Sequence, residues 1–403
     1  MRGKRALTKG VLISLLVIGA PLLFVPEDST RTRLLRFCLL LLLSLLILTT
    51  KLKQDISKKY DLPATLRYPL LIFSAGVILS TLFSDQSLEA KLLGLVPEYL
   101  GLLSWLCFVL LGFFVGPYIK NALLSRRMVL IGISVLIFSF FNSWFFVANG
   151  YRLDGVLFQP TTMGMYAAML YVIGIKMWDI SVSRFWRMAS VLLALTSVAA
   201  VLLTQSRLAF FSVALVSSAI AYRYWFRRKM ITAFAVMAVL MLVFLPRYMS
   251  NYFNRFGQQN VGLGLSYRLE LYKVSASDVL HNNLFLGNGP NSLPNEINNQ
   301  NMVPDDIQKS LQSGDVFLSS HDIFFDVAYF FGVVPSLALA ILSFRAFYIT
   351  LRKKKDYFML ALLSILLLNG LFNVSSLELT SILIVMVIAL NVNQRISHGA
   401  KIP

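Results

Sequence analysis

Long apolar runs whose centres carry no ionisable side chain recur along almost the entire chain. They fall at roughly 8–25, 34–50, 68–83, 99–119, 128–149, 161–178, 188–205, 208–222, 230–246, 323–344, 357–373 and 379–394. Each approaches the ~20 residues a helix needs to cross about 30 Å of hydrocarbon. The pattern predicts an all-α polytopic membrane protein of about twelve transmembrane helices, forming a single membrane domain over 1–403. One segment interrupts it. Residues 247–320 are polar and rich in Asn, and a loop of that length is usually functional or disordered. Within it Leu265, Leu269, Tyr272, Ala276 and Val279 recur at helical spacing, which predicts an amphipathic helix lying on the outer leaflet or capping a cavity.

Composition agrees with lipid as the solvent. At 403 residues the chain could make two or three soluble domains, but it is 57% hydrophobic and only 14% charged, against about 25% for a soluble domain. Its mean hydropathy is +0.70. The net charge of +18 would suggest nucleic acid in a soluble protein; here it reads as basic cytoplasmic loops beside anionic lipid. Arg2, Lys4, Arg5 and Lys9 precede the first run, which has no small-residue cleavage site after it and reads as a retained helix. With the N-terminus inside, basic residues favour alternate loops except at 26–36, where Arg31, Arg33 and Arg36 fall outside. The 247–320 insertion, between the ninth and tenth spans, is then extracytoplasmic. Cys38 and Cys107, the only two cysteines, both lie in apolar runs and offer neither a disulfide framework nor a zinc site.

The candidate chemistry gathers at the outer ends of the spans. A secondary transporter would be expected to place polar groups at mid-bilayer, so their absence there points to a cavity at the outer membrane–water boundary. Arg207 stands in Thr204-Gln205-Ser206-Arg207, between two spans that must turn back almost at once. The next charge-free run, 208–222, makes only ~22 Å of helix, which draws a flanking arginine toward the boundary while Arg223 snorkels to the other side. A guanidinium there suits two-point contact with a phosphate, or equally a lipid headgroup. Arg268 sits at the edge of the amphipathic stripe, as a phosphate ligand or as a solvated residue paired with Glu270 or Asp278. Arg152, in Gly150-Tyr151-Arg152-Leu153-Asp154, is a third, weaker candidate for binding the diphosphate, for which a loop pair with Asp154 is the simpler account. His321 opens the tenth span, as a base at neutral pH or as a helix cap; Asp326, five residues on, could steer its imidazole. His281 and His398 read as a surface residue and a tail residue. Asp305-Asp306 is not the Asp-x-Asp of a metal-held nucleotide sugar. Gly287-Asn288-Gly289-Pro290 lacks the Gly-Lys-Ser ending of a phosphate loop.

Thr204-Gln205-Ser206-Arg207, Ser266-Tyr267-Arg268, Leu286-Gly287-Asn288-Gly289-Pro290 and His321 occur in that order over roughly 150–345, and this set resembles the bacterial O-antigen ligase and polymerase superfamily. The resemblance implies a GT-C-like membrane fold and an inverting glycosyltransferase. It also implies an undecaprenyl-diphosphate-linked glycan donor, no metal or other cofactor, and a site facing the periplasm from the bacterial inner membrane. It assigns Arg207 and Arg268 to the diphosphate and His321 to the reaction centre. Where family members usually follow this histidine with asparagine, the chain has Asp322. The acceptor is expected to be the lipid A core oligosaccharide; the alternative is a polymerase extending a lipid-linked glycan. A lipid-linked oligosaccharide flippase is a third reading, from another class, and should carry a charged central cavity.

Overall fold

A computed structural model of the chain describes residues 64–94, 101–115, 123–148, 152–153, 160–224, 284–290, 322–352, 357–372 and 377–392, together with 38, 42, 120, 272–273 and 276–277. All regular structure among the described residues is helical. Among the described residues three helices are long and apolar enough to cross a membrane, at Arg126–Trp144, Arg184–Thr204 and Val333–Arg352, and shorter apolar helices accompany them. The chain is thus a helical membrane protein. The predicted spans at 8–25 and 230–246, and nearly all of 34–50 and 247–320, lie outside the described residues. The chain divides into two compact units, Arg126–Leu269 and Met1–Ser125 with Glu270–Pro403.

The Arg126–Leu269 unit holds α4 (Arg126–Ala148), α5 (Pro160–Ile180), α6 (Arg184–Thr204) and α7 (Arg207–Tyr224). Helix α5 is buried on nearly every side, from Thr162 to Met177. Its glycines explain how the neighbours come so close. A Cβ on Gly174 would stand 2.9 Å from the Ser190 carbonyl oxygen, and one on Gly132 of α4 would stand 2.9 Å from Leu193. Small residues at such crossings let backbones approach where no hydrophobic drive separates helix from lipid. The Tyr171 and Ser217 hydroxyls share a 2.7 Å hydrogen bond between α5 and α7.

The other unit holds α1 (Ala64–Phe83), α2 (Leu88–Leu92), α3 (Leu102–Val115), α8 (Ile323–Phe331), α9 (Val333–Arg352), α10 (Tyr357–Phe372) and α11 (Leu377–Val392). Trp105 of α3 is its aromatic centre, edge-on to Phe73 of α1, Phe108 and Phe331 of α8 at 5.8, 5.8 and 5.5 Å. Edge-to-face pairs at these distances are favourable beyond the area they bury. Gly112 of α3 faces Ile388 of α11, and Asn391 Nδ2 donates to the Leu342 carbonyl of α9 at 2.9 Å. Helices α1 and α9 pack together, with Gly76 of α1 against Pro335 near the start of α9.

The single span expected at 323–344 is two helices. Gly332 breaks it with φ +95, a conformation that side-chain-bearing residues rarely adopt, and Val333–Arg352 is the part long and apolar enough to cross. The first part, α8, does not continue along the axis of α9. Its last turn is tied to Ser80, three residues before the end of α1, through a 2.6 Å hydrogen bond from Ser80 Oγ to the Phe330 carbonyl. Its first residue, Ile323, lies against Gly370, two residues before the end of α10. Ser336 Oγ of α9 reaches back to the Phe324 carbonyl at 2.7 Å. Helix α8 therefore lies across one side of its unit, folded over the first turn of α9. An apolar run of constant composition conceals such a break, because only one glycine marks it.

Candidate functional site

The turn that carries Arg207 forms for local reasons. Gln205 ends α6 in the left-handed conformation at φ 51, its N–H donating to the Leu202 carbonyl at 3.1 Å. Ser206 then caps α7: its Oγ accepts from the Ala209 N–H at 3.3 Å and its carbonyl from the Phe210 N–H at 3.0 Å. Two residues thus reverse the chain, as the sequence requires, and Arg207 becomes the first residue of α7. Its side chain is exposed while Thr204, Gln205 and Ser206 are buried. A cation at a helix N-terminus adds to the positive end of the helix dipole instead of offsetting it, so the combination favours an anion.

Arg152 comes to the same turn. Its Nε donates to the Thr204 carbonyl at 2.8 Å, and the Leu153 N–H donates to the Leu203 carbonyl at 3.0 Å. Arg152 thus holds the end of α6; Asp154, its expected loop partner, lies outside the described residues. A carbonyl left over at a helix end attracts a cation. The turn also rests on α5, because a Cβ on Gly164 would stand 2.7 Å from Thr204 Oγ1 and 2.9 Å from the Ser206 and Ala209 Cβ atoms. Gly164→Ala should therefore push the turn aside, at the ~1–3 kcal/mol of an overpacked contact. A thermal-melt series in detergent should show a lowered Tm for this variant and none for an exposed control such as Phe211→Ala.

At the start of α8 the helix cap is Asp322, one residue after His321. Asp322 Oδ1 accepts from the Phe324 and Phe325 N–H groups at 2.7 and 3.1 Å. An Asp directly before the apolar run Ile323-Phe324-Phe325 is an N-cap signal that reading centred on the histidine overlooks. Asp326 follows in the first turn, 1% exposed, its N–H donating to the Asp322 carbonyl at 2.8 Å. His321 and Arg268 themselves lie outside the described residues.

Burial pushes the Asp322 carboxyl up to about 6, with repulsion from Asp326 adding to it and the two capping N–H groups opposing. The folded state then binds this proton more tightly than the unfolded chain, so the group's contribution to stability falls as pH rises from about 4 through 6. Asp322→Asn keeps the capping oxygen and removes the charge. It should raise Tm at pH 8, by the equivalent of roughly 3 kcal/mol, and leave it unchanged near pH 4. Equal melting curves at both pH values would show that the buried charge is not felt.

In the long polar segment, besides 284–290, Tyr272, Lys273, Ala276 and Ser277 are described, and these four are helical. Tyr272 and Ala276 are half-buried while Lys273 and Ser277 are exposed, the two-sided pattern the stripe predicts. Tyr272 stacks on Phe325 of α8, ring centroids 5.0 Å apart and nearly parallel. Among the described residues no group of three or more His, Cys, Asp or Glu could hold a metal ion.

Comparison with curated proteins finds no match. Residues 189–340 match the family model described as O-antigen ligase (Wzy_C), a segment running from within α6 into α9 and taking in Arg207, Arg268, Gly287–Pro290 and His321. The resemblance read from the sequence therefore holds over that segment, which is similar to O-antigen ligases.

Proposed function

We propose that the protein is a metal-independent, inverting glycosyltransferase of the bacterial inner membrane, with its site facing the periplasm. It would transfer a polysaccharide from undecaprenyl diphosphate to the lipid A core oligosaccharide. The family match indicates a function of O-antigen ligase or polymerase type. In this reading about twelve helices form one GT-C-like domain, and 247–320 is its extracytoplasmic insertion. Arg207 and Arg268 hold the diphosphate, Arg152 supports Arg207 at its turn, and His321 takes the proton from the acceptor hydroxyl.

The observation that carries it is the stack of Tyr272 on Phe325. Tyr272 stands four residues after Arg268 in the sequence, and Phe325 four residues after His321, so the contact joins the stretch that follows the arginine to the helix that begins beside the histidine. The chemistry suits such a set. The leaving group is a lipid diphosphate whose negative charge grows as the sugar–oxygen bond breaks, and fixed guanidinium groups stabilise that charge without a metal. A positioned histidine base contributes about 10²–10⁴-fold. Asp326 is a candidate to orient that imidazole.

Deletion of the gene tests the reading through the lipopolysaccharide on a gel. A ligase mutant should give bare core, with long polymer persisting on the polyprenyl carrier. Core bearing a single repeat unit would identify a polymerase instead. Unchanged lipopolysaccharide would remove both.

A further inference from the structure

The segment Leu284–Pro290 carries a role that neither the expected reaction nor a phosphate loop accounts for. Where Gly332 interrupts the helix, the last carbonyls of α8 and the first N–H groups of α9 lose their helical partners. Residues 284–290 supply replacements. The Asn288 N–H donates to the Tyr329 carbonyl at 2.8 Å and the Gly289 N–H to the Phe330 carbonyl at 2.9 Å. In return the Val333 N–H donates to the Leu284 carbonyl at 2.9 Å. The Phe330 carbonyl accepts a second bond, from Ser80 Oγ of α1. Ser84 Oγ, one turn on, lies 3.5 Å from the Asn288 carbonyl and accepts from the Gln86 N–H at 3.1 Å. The fit is close: Gly289 has φ +91, and a Cβ there would collide with the Ser84 side chain, while one on Gly287 would stand 2.6 Å from the Phe330 carbonyl oxygen and the Gly332 nitrogen.

We infer that residues 284–290, together with Ser80 and Ser84, form a backbone clasp that holds α8 across its unit and so sets the place at which His321 is presented to the acceptor. The clasp residues are positioning residues: they act through α8 and touch no reacting atom. The inference rests on the proposed role of His321 as base. Three features together favour positioning over simple loop closure. The clasp holds the last turn of α8, Ser336 and Gly370 hold its first turn, and His321 directly precedes its cap. A rigid helix held at both ends transmits a displacement at one end to the other.

The test uses the full-length protein in nanodiscs with a polyprenyl-diphosphate-linked glycan as donor, and with rates expressed per bound donor. Ser80→Ala and Gly289→Ala should each lower kcat by tenfold or more while donor KM stays within twofold, since the diphosphate is held elsewhere. Ser80→Thr, which keeps the hydroxyl, should restore kcat to within threefold. Should kcat per bound donor stay within threefold of wild type in both variants, or donor KM rise with it, the clasp has no positioning role. A loss in Ser80→Ala that Ser80→Thr does not restore would count against it equally. His321→Ala is run in parallel: activity there defeats the base assignment, whereas an inactive His321→Ala beside fully active clasp variants defeats only the clasp.

Discussion

Replacing Arg207 by alanine should abolish glycan transfer, by at least 10³-fold, while the protein reaches the membrane in normal amounts. The side chain is exposed at the first position of α7, so its loss costs the fold little; the turn is held by Gln205, Ser206 and Gly164. What it removes is charge at a place that already favours an anion. A diphosphate leaving group needs that charge most in the transition state, so kcat should fall more than donor affinity. Lysine at 207 should rescue poorly, because an ammonium cannot make the planar two-point contact. Arg152→Ala should be milder, since Arg152 meets the turn through a carbonyl of α6. In vitro transfer with purified donor and acceptor checks the series. Wild-type rates in Arg207→Ala would take that residue out of the mechanism.

His321→Ala should be the second inactivating change, with a different signature. Donor binding should persist, since the arginines remain, while transfer falls by about 10²–10⁴-fold. The wild-type rate should drop on the acid side as the imidazole protonates. The adjacent Asp322, pushed up to about 6 by burial, also loses its charge as the pH falls. Asp322→Asn separates the two contributions: if the histidine is the base, the acid limb should survive in that variant. Disappearance of the limb would assign it to the carboxylate.

Much of this was legible in the sequence because lipid imposes a simple rule: apolar runs of sufficient length become helices. The helices at Ala64–Phe83, Arg126–Ala148, Pro160–Ile180, Arg184–Thr204, Arg207–Tyr224, Tyr357–Phe372 and Leu377–Val392 fall within a few residues of the runs expected. The tight reversal before Arg207 was equally readable, from two spans with almost nothing between them. The break at Gly332 was not, because it depends on carbonyls being satisfied from a segment some 40 residues earlier in the chain. Nor was the clasp itself, since Gly287-Asn288-Gly289-Pro290 shows its glycines but not the helix end they are shaped to meet. Asp322 presented as a departure from a family pattern, whereas its cap bonds and burial depend on the fold. Arg152 shows the same limit: its bond to the Thr204 carbonyl at the end of α6 spans 52 residues, and no local pattern announces it.

The most direct measurement is a cryo-EM structure of the protein in nanodiscs with bound undecaprenyl diphosphate. The account predicts phosphate density within hydrogen-bonding reach of the Arg207 and Arg268 guanidinium groups, with the His321 imidazole facing the side where the acceptor hydroxyl must approach. Phosphate density remote from Arg207, or a His321 turned to the opposite leaflet, would contradict it.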